Sequence, residues 1–343
     1  MTDSKTLTIS DVAQALGISK TTVSRAISGN GRVGVETRDR VMSYIAQHNY
    51  VPNAMAKGLA QSKTYNIGLV MPKDYTALDL PFFQRCLTGV CDQANAQDYD
   101  VVVCVTTPTD ISQLERLINN NKVDGVILTR TLTMDLTIDY LKEKGIPFVA
   151  IGLTEDPDVI QVDNDHESAC RELTSLLLMQ KIGRVAMLCG DRSFMVTQSR
   201  LKGFLDAMDN AGVKVTPDMV YYDIDFLTNV DKIVDEILSR RFDCILCMDD
   251  SICVNVLDKL KRDRITVPND IKVASFYNSA ALSRNIPAVT ALSFDAKQLG
   301  EEACKTLFKV LSGTVVPVRN LLGYEIAMKE STKKCDNGIV KII

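Results

Sequence analysis

From Asn66 onward, short apolar runs rich in β-branched residues alternate with amphipathic helical patterns, and a rotation that strict has few three-dimensional solutions. The runs NIGLVMP, YDVVVCVT, DGVILT and PFVAIG are separated by helical patterns starting at Phe82, near 111–120 and over 136–144. A second series repeats the scheme with RVAMLCG, a helix over 195–211, VYYDID, a helix over 229–239, CILCMD, a helix over 251–262 and IKVASF. Parallel strands cannot be joined by tight hairpins, so each run needs a crossover helix. Right-handed crossovers then place helices on both faces of the sheet. Two such series predict an α/β chain of two lobes, each a doubly wound parallel sheet. VTALSFD, a helix over 296–311 and LLGYEIAM close the pattern.

The first sixty residues follow another rule. TISDVAQALG opens with Thr8 and, three places on, Asp11, a capping box with a shortened acid, and Ile9, Val12, Ala13 and Leu16 then share one helical face. Gly17 stops that helix and Ser19 caps the next, in which Ile18, Val23, Ala26 and Ile27 point inward while Lys20, Thr21, Thr22 and Arg25 point outward. Two short helices joined through a glycine-containing turn, the second offering polar and basic side chains, describe a helix-turn-helix. A third helix over 35–48 is expected to complete the core with Val41, Met42, Ile45 and Ala46. Pro52 and the helix cap Asn53 then introduce a tether, 54–60, too short to be helical unless supported.

Charge separates the two regions. Residues 1–60 carry seven Lys or Arg against four Asp or Glu, a balance of +3, so the rest of this −4 chain carries −7. A basic head on an acidic body expects a polyanion at the head alone. No run of about 18 apolar residues suggests a membrane span, and MTDSKTLTIS lacks the basic and apolar regions of an export signal, so the expected compartment is the cytoplasm. The ten cysteines then read as reduced structural thiols, Cys244-x-x-Cys247 included, because strand alternation sends that pair to opposite faces. Two histidines, His48 and His166, leave little for a metal centre, and neither metal nor cofactor is expected. GNGRVG at 29–34 matches a dinucleotide fingerprint in letters, but a helix rather than a strand precedes it.

Ligands of open α/β sheets bind beyond the carboxyl ends of the strands. Those ends carry Pro72, Lys73, Asp74, Thr129, Arg130, Gly152, Gly190, Asp191, Asp249, Asp250 and Tyr277, with Phe82 and Phe83 opening the first helix. Aromatic faces beside charged hydrogen-bonding groups suit a sugar, which offers C–H patches and hydroxyls together. Asp250 reads as a helix cap.

The segments TISDVAQALGISKTTVSRAISG (8–29), VETRDRV (35–41) and NYVPNAMAKGLA (49–60), in that order and spacing, resemble the lactose-repressor (LacI) family of bacterial transcription regulators. The resemblance implies a head-plus-periplasmic-binding-protein-like build. The implied DNA contacts are Thr8, Ser19, Lys20, Thr21, Thr22, Ser24, Arg25 and Arg32, joined by Asn53, Ala56 and the groove-wedging Leu59 of the tether. It directs Arg200 at an effector, with Asp249 and Phe294 in the same pocket, and makes Asp163–Asn164 part of the interlobe crossover. Together with the strand-end residues, the expected effector set is Asp74, Phe82, Phe83, Arg130, Arg200, Asp249, Tyr277 and Phe294. The chain departs from the family where Tyr277 replaces a customary acid and where Gly152 replaces another.

The expected divisions are a head (1–50), a hinge (51–64), an N-lobe (65–163 with 294–322), a C-lobe (164–293 with 323–335) and a tail (336–343). The expected function is a cytoplasmic, nucleoid-associated homodimeric repressor of carbohydrate-use genes. It would bind double-stranded operator DNA and answer to a sugar or sugar phosphate in the cleft. Two alternatives stay open from sequence: a catabolite-control regulator with a phosphoprotein corepressor, and a solute-binding receptor. No phosphate loop, nucleophile elbow or acid–base pair suggests an enzyme.

Overall fold

A computed structural model describes residues 7–28, 31–48, 61, 63–73, 81–224 and 230–333, and separates the chain into two compact units meeting at Tyr65 and Asn66. Asn53, Ala56, Leu59, Asp74 and the tail lie outside the described residues.

The first unit contains α1 (Ile9–Leu16), α2 (Lys20–Ser28) and α3 (Val35–Gln47). The capping box forms: the Asp11 amide donates to Thr8 Oγ1 at 3.3 Å, and Asp11 Oδ2 accepts from the Thr8 amide at 2.8 Å. Gly17 ends α1 at φ +66°, and Ser19 Oγ accepts from the Thr22 amide at 3.1 Å at the start of α2. Val12, Ala13, Val23, Ala26 and Val41 are buried together. The predicted third-helix stripe is half right: Met42 and Ala46 face solvent, and Tyr44 packs beside Ile45 instead. A stripe at 41, 44 and 45 follows the 3.6-residue period more closely than one at 41, 42, 45 and 46.

The second unit has two six-stranded sheets. The N-lobe sheet is built from β1 (Asn66–Pro72), β2 (Asp100–Thr106), β3 (Gly125–Leu128), β4 (Phe148–Ile151), β5 (Gln161–Asn164) and β11 (Arg319–Leu322), in the order β11-β5-β4-β3-β1-β2 and parallel throughout. The C-lobe sheet holds β6 (Val185–Leu188), β7 (Val220–Tyr221), β8 (Cys244–Cys247), β9 (Lys272–Ser275), β10 (Thr290–Ser293) and β12 (Glu325–Ala327), in the order β12-β10-β9-β8-β6-β7, with only β12 antiparallel. Crossovers are α4 (Pro81–Asn95), α5 (Ser112–Asn119) and α6 (Leu136–Lys144) in the first lobe, and α7 (His166–Met179), α8 (Met195–Asn210), α9 (Val230–Ser239), α10 (Asp250–Arg262) and the short α11 (Ala280–Arg284) in the second. The central strands β3, β6 and β8 are buried along their whole length, as double coverage by helices requires.

The chain passes between lobes three times. It leaves the N-lobe after β5, returns after β10 so that α12 (Ala296–Leu311) packs on α4, and leaves again between β11 and β12. VTALS stays in the second sheet, and LLGYEIAM contributes one strand to each lobe. The four-residue β5 (QVDN) is a strand beyond those the apolar runs predict: three of its four residues are polar, although all four are buried.

Candidate functional site

In the head, the outer face of α2 exposes Lys20, Thr21, Ser24 and Arg25, and Arg32 is exposed in the loop that follows. Thr8, Ser19 and Thr22 also sit at helix starts, but their hydroxyls are engaged locally: Thr8 with Asp11 at 2.6 Å, and Ser19 with Thr22 at 2.8 Å. These caps fix the first turns of α1 and α2. The GNGRVG stretch joins α2 to α3, so no strand feeds it, and a Cβ on Gly31 would press on the Arg25 side chain at 3.1 Å.

In the second unit, the carboxyl ends of both sheets converge on an interlobe cleft. Its inner wall is aromatic. Phe82, in the first turn of α4, meets Tyr277 of the opposite lobe edge-on at 6.1 Å, Tyr277 stacks on Phe294 at 6.4 Å, and Phe294 meets the His166 ring at 4.6 Å. Phe83, at 7% exposure, meets the Phe82 ring edge-on at 5.2 Å. Tyr277 is itself buried, which pushes its phenol up to about 12.

Below this wall lies a buried polar cluster. Arg200, on α8, is 8% exposed. Its Nη1 donates to the Met248 carbonyl at 2.8 Å, its Nε reaches His166 Nδ1 at 3.5 Å, and no described carboxylate lies within ion-pair distance of it. His166 Nε2 approaches Asp163 Oδ1 at 3.5 Å. Both contacts fit a neutral imidazole with its proton on Nε2: Nδ1 accepts from the guanidinium, and Nε2 donates to the carboxylate. Burial holds the imidazole below the usual histidine range, outweighing the upward pull of Asp163. Asp249 caps α10 by accepting from the Ile252 amide at 2.8 Å, so Asp249 and not Asp250 is the cap, and burial raises its carboxyl above the ordinary range. Asp163 Oδ2 and both amide atoms of Asn164 are buried with no hydrogen-bond partner among the described residues. Buried polar atoms are rarely left so, and a cluster of them wants a polar guest.

On the N-lobe side, Pro72, Thr106, Thr107, Arg130, Asp135 and Thr137 line a small cavity of about 20 Å³, room for one water. Arg130 lies 4.2 Å over the Phe194 ring of the C-lobe. The nine described cysteines are unpaired thiols, eight of them buried, and no group of His, Cys, Asp or Glu among the described residues is arranged to hold a metal. No described helix is long and apolar enough to cross a membrane. His166, named above only against a metal centre, sits at the centre of the cluster. Its signal was positional: it begins the helix directly after the crossover strand.

The neutral histidine gives a pH dependence of known sign. Its folded value lies below its unfolded one, so its contribution to stability is present above the unfolded value near 6.5 and is lost as pH falls through the folded value. Between pH 7.5 and pH 5 the melting temperature of the native chain is therefore expected to fall more steeply than that of His166→Gln. Parallel curves in differential scanning fluorimetry would refute this.

A helix-turn-helix unit followed by a two-lobed α/β unit with a polar cleft defines a class: DNA-binding regulators carrying a ligand-binding core. Family models place the chain within it. Residues 8–53 match the bacterial regulatory proteins of the lacI family, and residues 64–321 match the periplasmic binding proteins and sugar binding domain of the LacI family. The chain belongs to the LacI family. It is 29% identical over 335 residues to the HTH-type transcriptional regulator MalR of Staphylococcus xylosus, covering 95% of this chain and 98% of that one. It is 25% identical to catabolite control protein A of the same organism, covering 96% and 100%. Among solved structures it is similar to the CelR–cellobiose complex, at 26% identity, TM-score 0.71 and coverage of 95% and 99%. The lac repressor dimer bound to operator and the anti-inducer ONPF shares the fold, at 21% identity, TM-score 0.80 and coverage of 96% and 99%.

Proposed function

We propose that this chain is a cytoplasmic transcriptional repressor of carbohydrate-use genes that binds operator DNA as a homodimer and releases or tightens its grip when a hydroxyl-rich small molecule enters the interlobe cleft. The observation that carries the effector half is the cleft itself: aromatic faces at Phe82, Tyr277 and Phe294 above the buried, polar Arg200, Asp163 and Asn164 and the half-buried Asp249. A pyranose has C–H faces for the first group, and hydroxyls that both donate and accept for the second. A neighbour in complex with cellobiose supports the same reading. No reaction is assigned to the site.

For the DNA half, Lys20, Thr21, Ser24 and Arg25 are the groove-facing set, Arg32 contacts phosphate, and the 53–60 tether with Leu59 folds in the minor groove only when two heads sit side by side. The neighbouring lac repressor dimer on its operator supports this arrangement. The divisions 1–50, 51–64 and the two lobes then have distinct roles: reader, coupler and sensor. Ligand binding can change operator affinity only by as much as its own affinity differs between the two states.

The test is binding to genomic fragments selected by the purified protein. Arg25→Ala and Lys20→Ala are each expected to weaken binding about tenfold, with the phosphate-contacting Arg32→Ala mainly flattening the salt dependence. Unchanged affinity in all three variants would remove the assignment of α2 as the reader.

A further inference from the structure

Two loops meet across the mouth of the cleft. One follows β3 in the N-lobe and the other follows β6 in the C-lobe. The Thr133 amide donates to the Ser193 carbonyl at 2.8 Å, the Met195 amide donates to the Thr131 carbonyl at 3.1 Å, and Leu132 and Phe194 face each other as an antiparallel pair. The Arg130 guanidinium covers the Phe194 ring at 4.2 Å.

Each half is stiffened from its own lobe. Thr131 Oγ1 donates to the Leu153 carbonyl at 2.6 Å, and the Leu132 amide donates to Asp135 Oδ2 at 3.1 Å while Asp135 Oδ1 caps α6. Gly152, at φ +116°, lets Thr131 lie this close: a Cβ there would fall 2.5 Å from Thr131 Oγ1. On the other side, Asp191 Oδ1 accepts from both the amide and the hydroxyl of Ser193 at 2.7 Å, and Gln198 Nε2 donates to the Arg192 carbonyl at 2.6 Å. Rigid halves joined by two hydrogen bonds make a contact that is either made or broken, as a switching element requires. Met195 is also the first residue of α8, the helix that carries Arg200.

We propose that residues 130–133 and 193–195 form a clasp that fastens the two lobes, sets how readily the cleft opens, and ties the position of Arg200 to the N-lobe. This rests on the reading of the cleft as a ligand site only for its consequence; the fastening is testable in the full-length protein alone.

The probe is backbone hydrogen–deuterium exchange. Met195→Pro removes one of the two cross-lobe donors at a helix position where proline is favoured, and Phe194, at φ −84° and ψ 127°, already has the extended backbone that proline demands of its predecessor. Met195→Ala keeps the donor while removing the same side chain, and so controls for packing. In the native chain and in Met195→Ala the Thr133 amide is expected to exchange slowly; in Met195→Pro its exchange should quicken about tenfold, the scale of one hydrogen bond. Thr133 exchanging at the unprotected rate in the native chain, or equally in both variants, overturns the proposal. If Met195→Pro proves unstable, Leu132→Cys with Phe194→Cys takes its place. The two face each other as a non-hydrogen-bonded pair, with Cα atoms about 4.5 Å apart, within reach of a disulfide. Diamide should oxidise the two thiols to one disulfide, itself taking up two electrons and two protons, and tryptic mass spectrometry should find the 132–194 linkage in nearly all molecules. Absence of the linkage overturns the clasp. A protein that no saccharide stabilises, but whose Thr133 amide behaves as stated, would keep the clasp and lose the sugar reading.

Discussion

Gly203→Ala lowers the thermal midpoint of the core by about 5–10 °C. Alanine is the better helix former, and at a solvent-facing position the change would stabilise by about 1 kcal/mol. At Gly203 that gain is overwhelmed, because the added Cβ falls 2.3 Å from the Glu167 carbonyl oxygen and 2.9 Å from the Cys170 Cβ, where α8 lies against α7. Neither obstacle is the end of a flexible side chain. The helices must separate along their contact, at a net cost of about 2–3 kcal/mol, and each kcal/mol is worth about 2–4 °C in a domain of this size. Gly183→Ala is the control, since the nearest atom to its Cβ is a carboxylate oxygen 4.0 Å away. Equal midpoints for the two variants would show that the α7–α8 contact is softer than drawn. The N-lobe repeats the device in reciprocal form: a Cβ on Gly89 would sit 2.1 Å from the Lys297 carbonyl, and one on Gly300 would sit 2.2 Å from the Cys86 carbonyl, across the α4–α12 contact. Because both substitutions open one contact, their effects should add to less than their sum.

These glycines mark what was legible and what was not. The alternation of apolar runs with helical stripes gave both sheets, since runs of about 4–8 residues rich in β-branched side chains, set between longer stripes of period 3.6, recur in strict rotation through both lobes. Thr8, Asp11, Gly17 and Ser19 announced the first two helices because capping is chemistry local to a few residues. Gly89, Gly203 and Gly300 interrupt good helical stretches, a recognised sign of close backbone approach, but the partner helix cannot be read from one sequence. β5 escaped because Gln161, Asp163 and Asn164 carry polarity into a buried strand, and burial of polar side chains is a tertiary decision. In the cleft, Phe82 and Phe83 are neighbours in sequence with identical side chains, yet Phe82 is half-buried against Tyr277 of the opposite lobe while Phe83 is buried. The contact of 131–133 with 193–195 has no period at all, being made by two loops whose only shared property is where the two sheets end.

Arg200→Met tests the polar cluster most directly, because it keeps the apolar stem and removes the buried guanidinium that reaches His166 and the Met248 carbonyl. The variant should lose the thermal stabilisation that a bound saccharide gives the native chain, with affinity reduced about 100-fold, the scale of losing charge-assisted hydrogen bonds in a desolvated site. A ligand-free effect accompanies it. The Met248 carbonyl loses its donor, at about 1–3 kcal/mol, partly offset because a desolvated cation is no longer held. The pH dependence separates this from ordinary loss of packing. Burial already raises Asp249 above the usual carboxylate range, and Arg200 is the charge that pulls it down. Without Arg200 the folded value rises further above the unfolded one, so the proton is bound more tightly in the native state than in the unfolded chain. Stability attached to such a group is present at low pH and drains away as pH climbs through the folded value. The gap in melting temperature between the native chain and Arg200→Met should therefore widen from pH 5 to pH 7.5. A constant gap would mean that Asp249 does not feel the guanidinium, and the buried cluster would have to be divided into independent parts.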